Sequence, residues 1–140
     1  MTTYHGGCLC GAVRFSVEVS KAEIDACHCS MCRRWGGGPS LNVQADGPPR
    51  FEDEAALGVY RSSQWGERVF CKTCGSSVLW RSADGSFHAV PAAIIGDPEG
   101  MALALEIFID DKPAYYDFAG ERKRMTGPEV MAAFGVDTGS

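Results

Sequence analysis

Apolar and polar side chains alternate strictly along residues 11–20, in the sequence GAVRFSVEVS. Val13, Phe15, Val17 and Val19 fall on one face and polar side chains on the other, a pattern typical of a half-buried β-strand. Further short apolar segments are bounded by loops rich in Gly, Pro and Asp, and we interpret them as strands. They span residues 40–45, 56–62, 67–70, 76–81, 86–95 and 102–110.

A single short helix is predicted over residues 127–134, GPEVMAAF, because Pro128 stands near its start. The chain has 140 residues, a length that fits one domain with one core. Its 17 Gly and 7 Pro favour many turns over long helices. The sequence therefore predicts one mostly β domain of short strands over residues 1–140.

The charge balance and the N-terminus limit the partners and the compartment. A net charge of −5 argues against broad contact with nucleic acid or an anionic membrane, since both need a basic face. No apolar run is long enough to span a membrane. The first residues, MTTYHGGCLC, lack the basic and apolar regions of a secretory signal. We therefore expect a cytoplasmic protein, in which thiols stay reduced.

Seven cysteines stand out in this setting. A disulfide framework is disfavoured because an odd number of thiols cannot pair fully and the cytoplasm is reducing. Cysteines used as small apolar side chains would be scattered over apolar faces, whereas these lie in clusters beside Gly, Ser, Lys and Arg. We interpret them as metal ligands. The three clusters are Cys8 and Cys10; Cys27, Cys29 and Cys32; and Cys71 and Cys74.

Two of these clusters are predicted to form the halves of one closed metal site. Cys71 and Cys74, followed by Gly75, have the spacing of a zinc-knuckle half-site. Cys8 and Cys10 are the only other cysteine pair, and glycines flank them. Four thiolates leave no free position, so the site is structural. Zinc would contribute on the order of 10–16 kcal/mol there, which rivals the whole net stability of a domain, ~5–15 kcal/mol.

The segment CHCSMC, residues 27–32, holds the remaining three cysteines. Three thiolates leave the fourth position of a zinc ion open, as in catalytic or ligand-binding sites, and we favour this interpretation. Alternatively, His5 or His88 closes the site, whereas His28 stands between two ligands and should point away from their metal. Thiolates also suit iron, although the spacing does not match an iron–sulfur cluster.

The residues beside the open site suggest what it binds. Three thiolates weaken a divalent zinc as a Lewis acid for water, so the site is better suited to a substrate thiolate. Arg33 and Arg34 could hold a substrate carboxylate, or they could be a solvated side chain and a surface ion pair. Trp35 could line a pocket or belong to the core. Candidates for a general acid or base, none with distinguishing context, are Tyr60, His88, Glu106 and Tyr115.

Taken together, these motifs resemble the glutathione-dependent formaldehyde-activating enzyme family, which includes relatives of centromere protein V. The similar segments are GGCLCGAVRF (6–15), CHCSMCRRWGG (27–37), VFCKTCGSSVLW (69–80) and, more weakly, IFIDDKPAYYDF (107–118). The resemblance implies a zinc-bound β-tent fold of short antiparallel sheets. It also implies carbon–sulfur lyase chemistry that joins glutathione to formaldehyde as S-(hydroxymethyl)glutathione.

The resemblance further implies two zinc ions with different roles. One is structural, at Cys8, Cys10, Cys71 and Cys74. The other is catalytic, at Cys27, Cys29 and Cys32. This division matches the one reached above by counting thiols.

Three functions follow as alternatives from the sequence. The one we favour is a zinc-dependent carbon–sulfur lyase-like enzyme whose partners are a small-molecule thiol, such as glutathione, and an aldehyde. In the second, both zinc ions are scaffold for a binding module, and a histidine closes the second site. In the third, the three-thiolate site is a redox or zinc sensor that releases its metal on oxidation.

Overall fold

The computed structural model describes residues 1–135 and consists mainly of short β-strands, so the predicted mostly β fold is confirmed. The strands are β1 (Thr2–Gly7), β2 (Arg14–Val19), β3 (Glu23–Cys27), β4 (Ser40–Ala45), β5 (Arg50–Phe51), β6 (Leu57–Arg61), β7 (Gly66–Cys71), β8 (Ser77–Ser82), β9 (His88–Pro91), β10 (Ala102–Ile107) and β11 (Lys123–Met125). The α-helices are α1 (Ser30–Gly36) and α2 (Gly127–Ala133). None of the helices in residues 1–135 is long and apolar enough to cross a membrane.

The chain forms two compact units, which we describe separately. The first contains Met1–Glu23 and Asn42–Ala102, and the second contains Ile24–Leu41 and the residues from Leu103 onward. The expectation of one domain over residues 1–140 stays a prediction.

In the first unit, β1, β2 and β5 form an antiparallel sheet in the order β1-β2-β5. The alternation seen in the sequence is confirmed, because Val13, Phe15, Val17 and Val19 are all buried. Strand β1 was not predicted. Its residues are mostly polar or glycine, and β1 is defined by its pairing with β2 rather than by an apolar face of its own.

The same unit also contains antiparallel strands in the order β4-β9-β8-β7-β6. Two glycines let aromatic rings lie directly on the neighbouring backbone. A Cβ added at Gly66 would lie 2.3 Å from the Trp80 ring, and one added at Gly58 would lie 2.4 Å from the Phe70 ring. The strand predicted over 86–95 ends at Pro91, because residues 92–95 turn into a 3-10 helix.

The second unit contains β11, β10 and β3, in that order, and both α-helices. Strand β11 pairs with β10 in parallel, which differs from the all-antiparallel expectation. The strand predicted over 102–110 ends at Ile107 because Phe108 has a left-handed φ of 55°. Helix α2 matches the helix predicted over 127–134, and Thr126 caps it together with Glu129.

Candidate metal centres

The first candidate centre is built from two turns of the same design. One follows β1 and carries Cys8, and the other begins at Cys71, the last residue of β7. In each turn a glycine amide donates to the cysteine carbonyl, Gly11 to Cys8 at 3.2 Å and Gly75 to Cys71 at 2.8 Å. Both glycines have φ above +80°, a region that disfavours other residues. The glycine after each cysteine pair is therefore required by the turn.

The two turns bring four sulfurs together, those of Cys8, Cys10, Cys71 and Cys74. All four lie within 4.8 Å of one another. The sulfur of Cys10 is 3.6 Å from that of Cys8 and 3.8 Å from that of Cys71. Four sulfurs at roughly 2.3 Å from one tetrahedral zinc ion would lie about 3.8 Å apart. The four-cysteine cluster therefore fits a zinc ion.

Hydrogen-bond donors around the four-cysteine cluster stabilise thiolate charge. Hydrogen bonds from the hydroxyl and amide of Ser76 lower the pKa of Cys74 to about 5. Burial acts to raise the pKa of Cys8, but the amide of Val13, 3.2 Å from its sulfur, contributes to a net lowering. Negative charge is thus favoured at two of the four sulfurs by groups of the chain itself.

A bound cation would also reduce the repulsion between the thiolates of this cluster. The amide of Ala12 lowers the pKa of Cys10, but burial and the three neighbouring thiols outweigh it and raise that pKa to about 11. A further thiolate therefore cannot form easily beside the others. A divalent ion would remove this penalty, because it attracts all four sulfurs.

The second candidate centre lies where β3 ends and α1 begins, and it contains Cys27, Cys29 and Cys32. Cys29 is the N-cap of α1, and its sulfur accepts the amide hydrogen of Cys32 at 3.3 Å. The three sulfurs lie within 4.8 Å of one another. All three residues are buried, and Ile107 and Phe108 pack against them. The three-cysteine cluster is therefore shielded from water by apolar side chains.

Two thiols of the three-cysteine cluster, those of Cys27 and Cys29, resist ionisation without a cation. Contact with the Cys29 and Cys32 thiols, together with burial, raises the pKa of Cys27. Cys27 lowers the pKa of Cys29, but Cys32 and burial outweigh it and raise that pKa as well. Three thiolates can coexist here only beside a positive charge, and their soft sulfurs suit zinc. This cluster also fits a metal ion.

Backbone contacts fix the segment that carries the three cysteines. The amide of His28 donates to the carbonyl of Ile107 at 3.1 Å, and the amide of Ser30 donates to Asp111 at 3.0 Å. Arg33 donates from Nε to the His28 carbonyl at 2.9 Å and from Nη2 to the Asp111 carbonyl at 3.2 Å. Arg33 therefore supports the backbone between two of the cysteines.

The other two residues predicted to bind substrate are more accessible. Arg34 is exposed on α1, and Trp35 is 37% exposed beside it. Neither Arg34 nor Trp35 is among the side chains that form or pack against the buried three-cysteine cluster in the described part of the chain. Their role in binding a substrate stays a prediction.

No histidine joins the three-cysteine cluster among residues 1–135. His28 is buried, and both of its ring nitrogens have other partners. Nε2 lies 2.8 Å from a carboxylate oxygen of Glu106, and Nδ1 lies 2.7 Å from the hydroxyl oxygen of Tyr116. His5 and His88 belong to the first unit. The contacts of His28 agree with the expectation that its side chain points away from a metal held by its neighbours.

Sequence reasoning missed the partners of His28. Glu106 is 1% exposed, and Arg122 and Arg124 bind its other carboxylate oxygen at 2.7 and 3.1 Å. A signal for this site was present, since Glu106 is the only charged residue in the apolar run ALALEIFI. Tyr115, which the sequence offered as a candidate acid or base, is 79% exposed, whereas its neighbour Tyr116 contacts His28.

The chain is similar to known proteins over most of its length. The model of the glutathione-dependent formaldehyde-activating enzyme family matches residues 3–111. An uncharacterized lyase of Schizosaccharomyces pombe is 32% identical over 132 residues, which cover 94% of this chain and 96% of that protein. A Halomonas elongata protein that carries the same family name is 36% identical over 124 residues, covering 80% of this chain and 78% of that protein.

A solved structure is similar as well. The crystal structure of a Rhodobacter sphaeroides protein superposes with a TM-score of 0.58 and 26% identity. The match covers 70% of this chain and 98% of that one. The family resemblance inferred from the cysteine motifs is thus confirmed, and the chain belongs to the glutathione-dependent formaldehyde-activating enzyme family.

Proposed function

We propose that the chain is a zinc-dependent carbon–sulfur lyase that forms and cleaves thiol–aldehyde adducts. Glutathione and formaldehyde are the thiol and aldehyde that the family name indicates. The observation that carries the proposal is the cluster of three buried sulfurs, which no other ligand joins among residues 1–135. Since both ring nitrogens of His28 have other partners, the nearest histidine in the chain does not complete it.

The reaction needs a thiolate, a carbonyl carbon and a proton. The sulfur electron pair bonds to the carbon, the carbonyl π pair moves to the oxygen, and that oxygen takes up the proton that the thiol released. Cleavage is the reverse. Zinc held by Cys27, Cys29 and Cys32 would supply a fourth position at which a substrate thiol is bound as thiolate.

The chain's own residues would prepare this position. Ile107 and Phe108 shield one side of the cluster from water. Arg33 holds the backbone between Cys27 and Cys29 through the His28 carbonyl. The exposed guanidinium of Arg34 would pair with a carboxylate of the thiol carrier. All of this requires reduced thiols, which fits the expected cytoplasmic location.

The four-cysteine cluster would hold the second zinc ion, in a structural role. Its two turns are more than sixty residues apart in the sequence, since Cys8 and Cys10 precede Cys71 and Cys74 by that distance. A zinc ion would join them by four bonds. The four sulfurs would fill every coordination position of this zinc ion, so it would take no part in the reaction.

The test compares the wild-type protein with Cys29→Ser. Both are purified anaerobically, zinc per chain is measured by mass spectrometry, and exchange between ¹³C-formaldehyde and its glutathione adduct is measured by exchange NMR. We expect about two zinc ions in the wild type and about one in Cys29→Ser, whose exchange rate should fall to that of buffer. Met31→Ala, an exposed neighbour on α1, is the matched control and should behave as the wild type.

Three results would replace the proposal. A folded Cys29→Ser protein that exchanges formaldehyde at the wild-type rate would remove the three-cysteine cluster from the reaction. A wild-type protein that binds two zinc ions and exchanges no faster than buffer would favour a binding module. Release of one zinc ion by peroxide doses that spare the other would point instead to the sensor.

A further inference from the structure

Strand β6 (Leu57–Arg61) is the last strand in the order β4-β9-β8-β7-β6 of the first unit. It pairs with β7 on one side, and no other strand of residues 1–135 pairs with its other side. Val59 is 50% exposed, and its neighbour Tyr60 is 56% exposed. Successive side chains of a strand point to opposite faces, so both faces of the sheet reach solvent at this edge. Strand β6 is therefore an edge that a further strand could extend.

The pairing of β6 with β7 determines which backbone groups of β6 point outward. Just before the strand begins, the Lys72 amide donates to the Ala56 carbonyl at 2.7 Å, so Ala56 directs its polar groups toward β7. Hydrogen-bonded and non-hydrogen-bonded pairs alternate along antiparallel strands, so every second residue after Ala56 does the same. The residues between them direct their amide and carbonyl groups toward the open edge. These outward-facing residues are Leu57, Val59 and Arg61.

A second copy of β6, related by a two-fold axis at Val59, presents matching backbone groups. In this antiparallel pair Val59 faces Val59 of the second copy, and each amide donates to the carbonyl of the other. Arg61 faces Leu57 of the second copy, and its amide donates to that carbonyl. The Leu57 amide already donates to the Glu54 carbonyl of its own chain at 3.1 Å, so it needs no bond across the axis. The outward groups of β6 therefore match themselves under a two-fold rotation.

The side chains of β6 also suit pairing with a second copy. On one face of the sheet, Val59 would pack against Val59 of the second copy. On the other face, Tyr60 would lie opposite Gly58 of the second copy, where no side chain obstructs its ring. The Phe70 ring covers Gly58 in each copy, since a Cβ added at Gly58 would lie 2.4 Å from that ring. Aromatic rings would therefore meet across the axis, which is a favourable cross-strand contact.

The charges at the two ends of β6 favour a second copy in the antiparallel direction. The strand follows the acidic segment EDE, residues 52–54, and ends at Arg61. Arg61 donates to the carbonyls of Ser63 and Gln64, both at 3.0 Å, which holds its guanidinium at that end. Antiparallel pairing brings the end of one strand to the start of the other. Each Arg61 would then lie near the acidic segment of the other copy, where opposite charges attract.

We propose that the protein forms a two-fold homodimer through β6, which joins the antiparallel strands of two copies into one continuous sheet. The partner is a second copy of this chain. Matching backbone groups, apolar and aromatic side chains at the axis, and opposite charges at the strand ends identify it. The dimer goes beyond the proposed reaction, because no cysteine of either cluster contributes to the contact between the copies.

The first experiment measures the mass of the zinc-loaded protein by sedimentation over a dilution series from submillimolar to micromolar protein. We expect a dimer of twice the 15.0 kDa chain that dissociates on dilution, because one short strand makes a small interface. Val59→Lys places two like charges opposite each other and should raise the dissociation constant about tenfold or more. Met31→Lys, at a side chain 42% exposed on α1, is the matched control and should leave it unchanged. Circular dichroism should show that both variants are folded.

A second experiment tests the register of the two strands. Hydrogen-bonded partners in antiparallel strands have Cα atoms about 5.5 Å apart, which a disulfide can span. Val59→Cys should therefore link two copies on mild oxidation of the zinc-loaded protein, giving a band of twice the chain mass on a non-reducing gel. Tyr60→Cys is the matched control, because residue 60 of the second copy lies two positions further along the strand, beyond that reach.

Three results would overturn the inference. A wild-type protein that sediments as a monomer at every concentration would show that β6 does not pair with a second copy. A dimer whose dissociation constant is the same in Val59→Lys and the wild type would place the interface elsewhere. A disulfide in Tyr60→Cys but not in Val59→Cys would contradict the two-fold register at Val59. These measurements do not use turnover, so the proposed function can fail or hold independently of them.

Discussion

The two cysteine clusters differ in how the chain supports their sulfurs. In the four-cysteine cluster, donors such as the Val13 amide and the Ser76 hydroxyl point at sulfur and lower the pKa of Cys8 and Cys74. In the three-cysteine cluster the neighbouring thiols and burial, to which Ile107 and Phe108 contribute, raise the pKa values of Cys27 and Cys29. Groups of the chain itself thus favour negative charge on two sulfurs of the four-cysteine cluster, whereas Cys27 and Cys29 depend on a bound cation for it.

In both clusters the number of sulfurs and their surroundings favour the same division of roles. Four sulfurs with their own hydrogen-bond donors suit an ion that stays in place. Three sulfurs in an apolar setting suit an ion with one changing partner.

Removal of one sulfur should have its largest effect on folding in the four-cysteine cluster. We expect Cys71→Ser to lose the metal of that cluster and most of the folding free energy it supplies, on the order of 10–16 kcal/mol, so that the protein is unfolded at room temperature. Circular dichroism and zinc content would measure this. Cys29→Ser is the control from the other cluster and should remain folded. If Cys71→Ser unfolded cooperatively at the same temperature as the wild type, a structural role for the four-cysteine cluster would be wrong.

Removal of the Glu106 carboxylate, which contacts His28, should cause the next largest loss of unfolding free energy. Glu106→Ala leaves Arg122 and Arg124 without their buried partner, which typically costs about 3–5 kcal/mol of unfolding free energy. Urea unfolding would measure it. The control is Glu67→Ala, which breaks the partly exposed pair with Arg81 and should cost less than ~1 kcal/mol. Equal costs in the two variants would show that the Glu106 network contributes no more than a surface pair.

The pH at which each metal leaves should separate the clusters. Protons and metal compete for the same sulfurs, so a thiol with a raised pKa takes a proton, and releases metal, at a higher pH. The pKa values of Cys27 and Cys29 are raised, whereas in the four-cysteine cluster those of Cys8 and Cys74 are lowered and that of Cys10 is raised, to about 11. As pH falls, the metal of the three-cysteine cluster should leave first.

Dialysis at stepwise lower pH, followed by zinc determination, would measure this order. The wild type should lose zinc in two steps, and Cys29→Ser should show only the step at lower pH. A single step in the wild type would contradict the difference in proton affinity between the clusters.

The two arginines after the three-cysteine cluster should give the smallest effects. Arg33→Ala removes hydrogen bonds to two carbonyls and should lower the unfolding free energy by about 1–2 kcal/mol. Arg34→Ala changes an exposed side chain and should stay within about 0.5 kcal/mol of the wild type, but raise KM for glutathione. Urea unfolding and steady-state kinetics would separate the two. An unchanged KM in Arg34→Ala would leave that residue without a role in binding.

Local patterns in the sequence were sufficient for much of the fold. Strand β2 was predictable because its apolar and polar residues alternate, and its apolar face is indeed buried. Helix α2 was predictable because Pro128 stands near its start. Strand β1 could not be found in this way, since its hydrogen bonds to β2 define it. Helix α1 was missed because its N-cap is Cys29, a residue type that rarely signals a helix start.

The candidate site divides in the same way. The sets of three and four cysteines could be separated by spacing and parity alone, and the structure brings together the same sets. The partners of His28 could not be predicted, because Glu106 and Tyr116 lie 78 and 88 residues away in the sequence. Such a network depends on which segments become neighbours in the fold, and the local spacing of apolar and polar residues does not predict that.

The arginines that bind Glu106 set a practical limit on how the chain can be shortened. A fragment cut to the family match, residues 3–111, would retain all seven cysteines and every candidate metal ligand. It would also lack Arg122, Arg124 and Tyr116, and would leave the carboxyl group of Glu106 without its cationic partners inside an apolar strand. Residues 116–124 therefore supply the charge that balances Glu106, and a shortened version of this protein should include them.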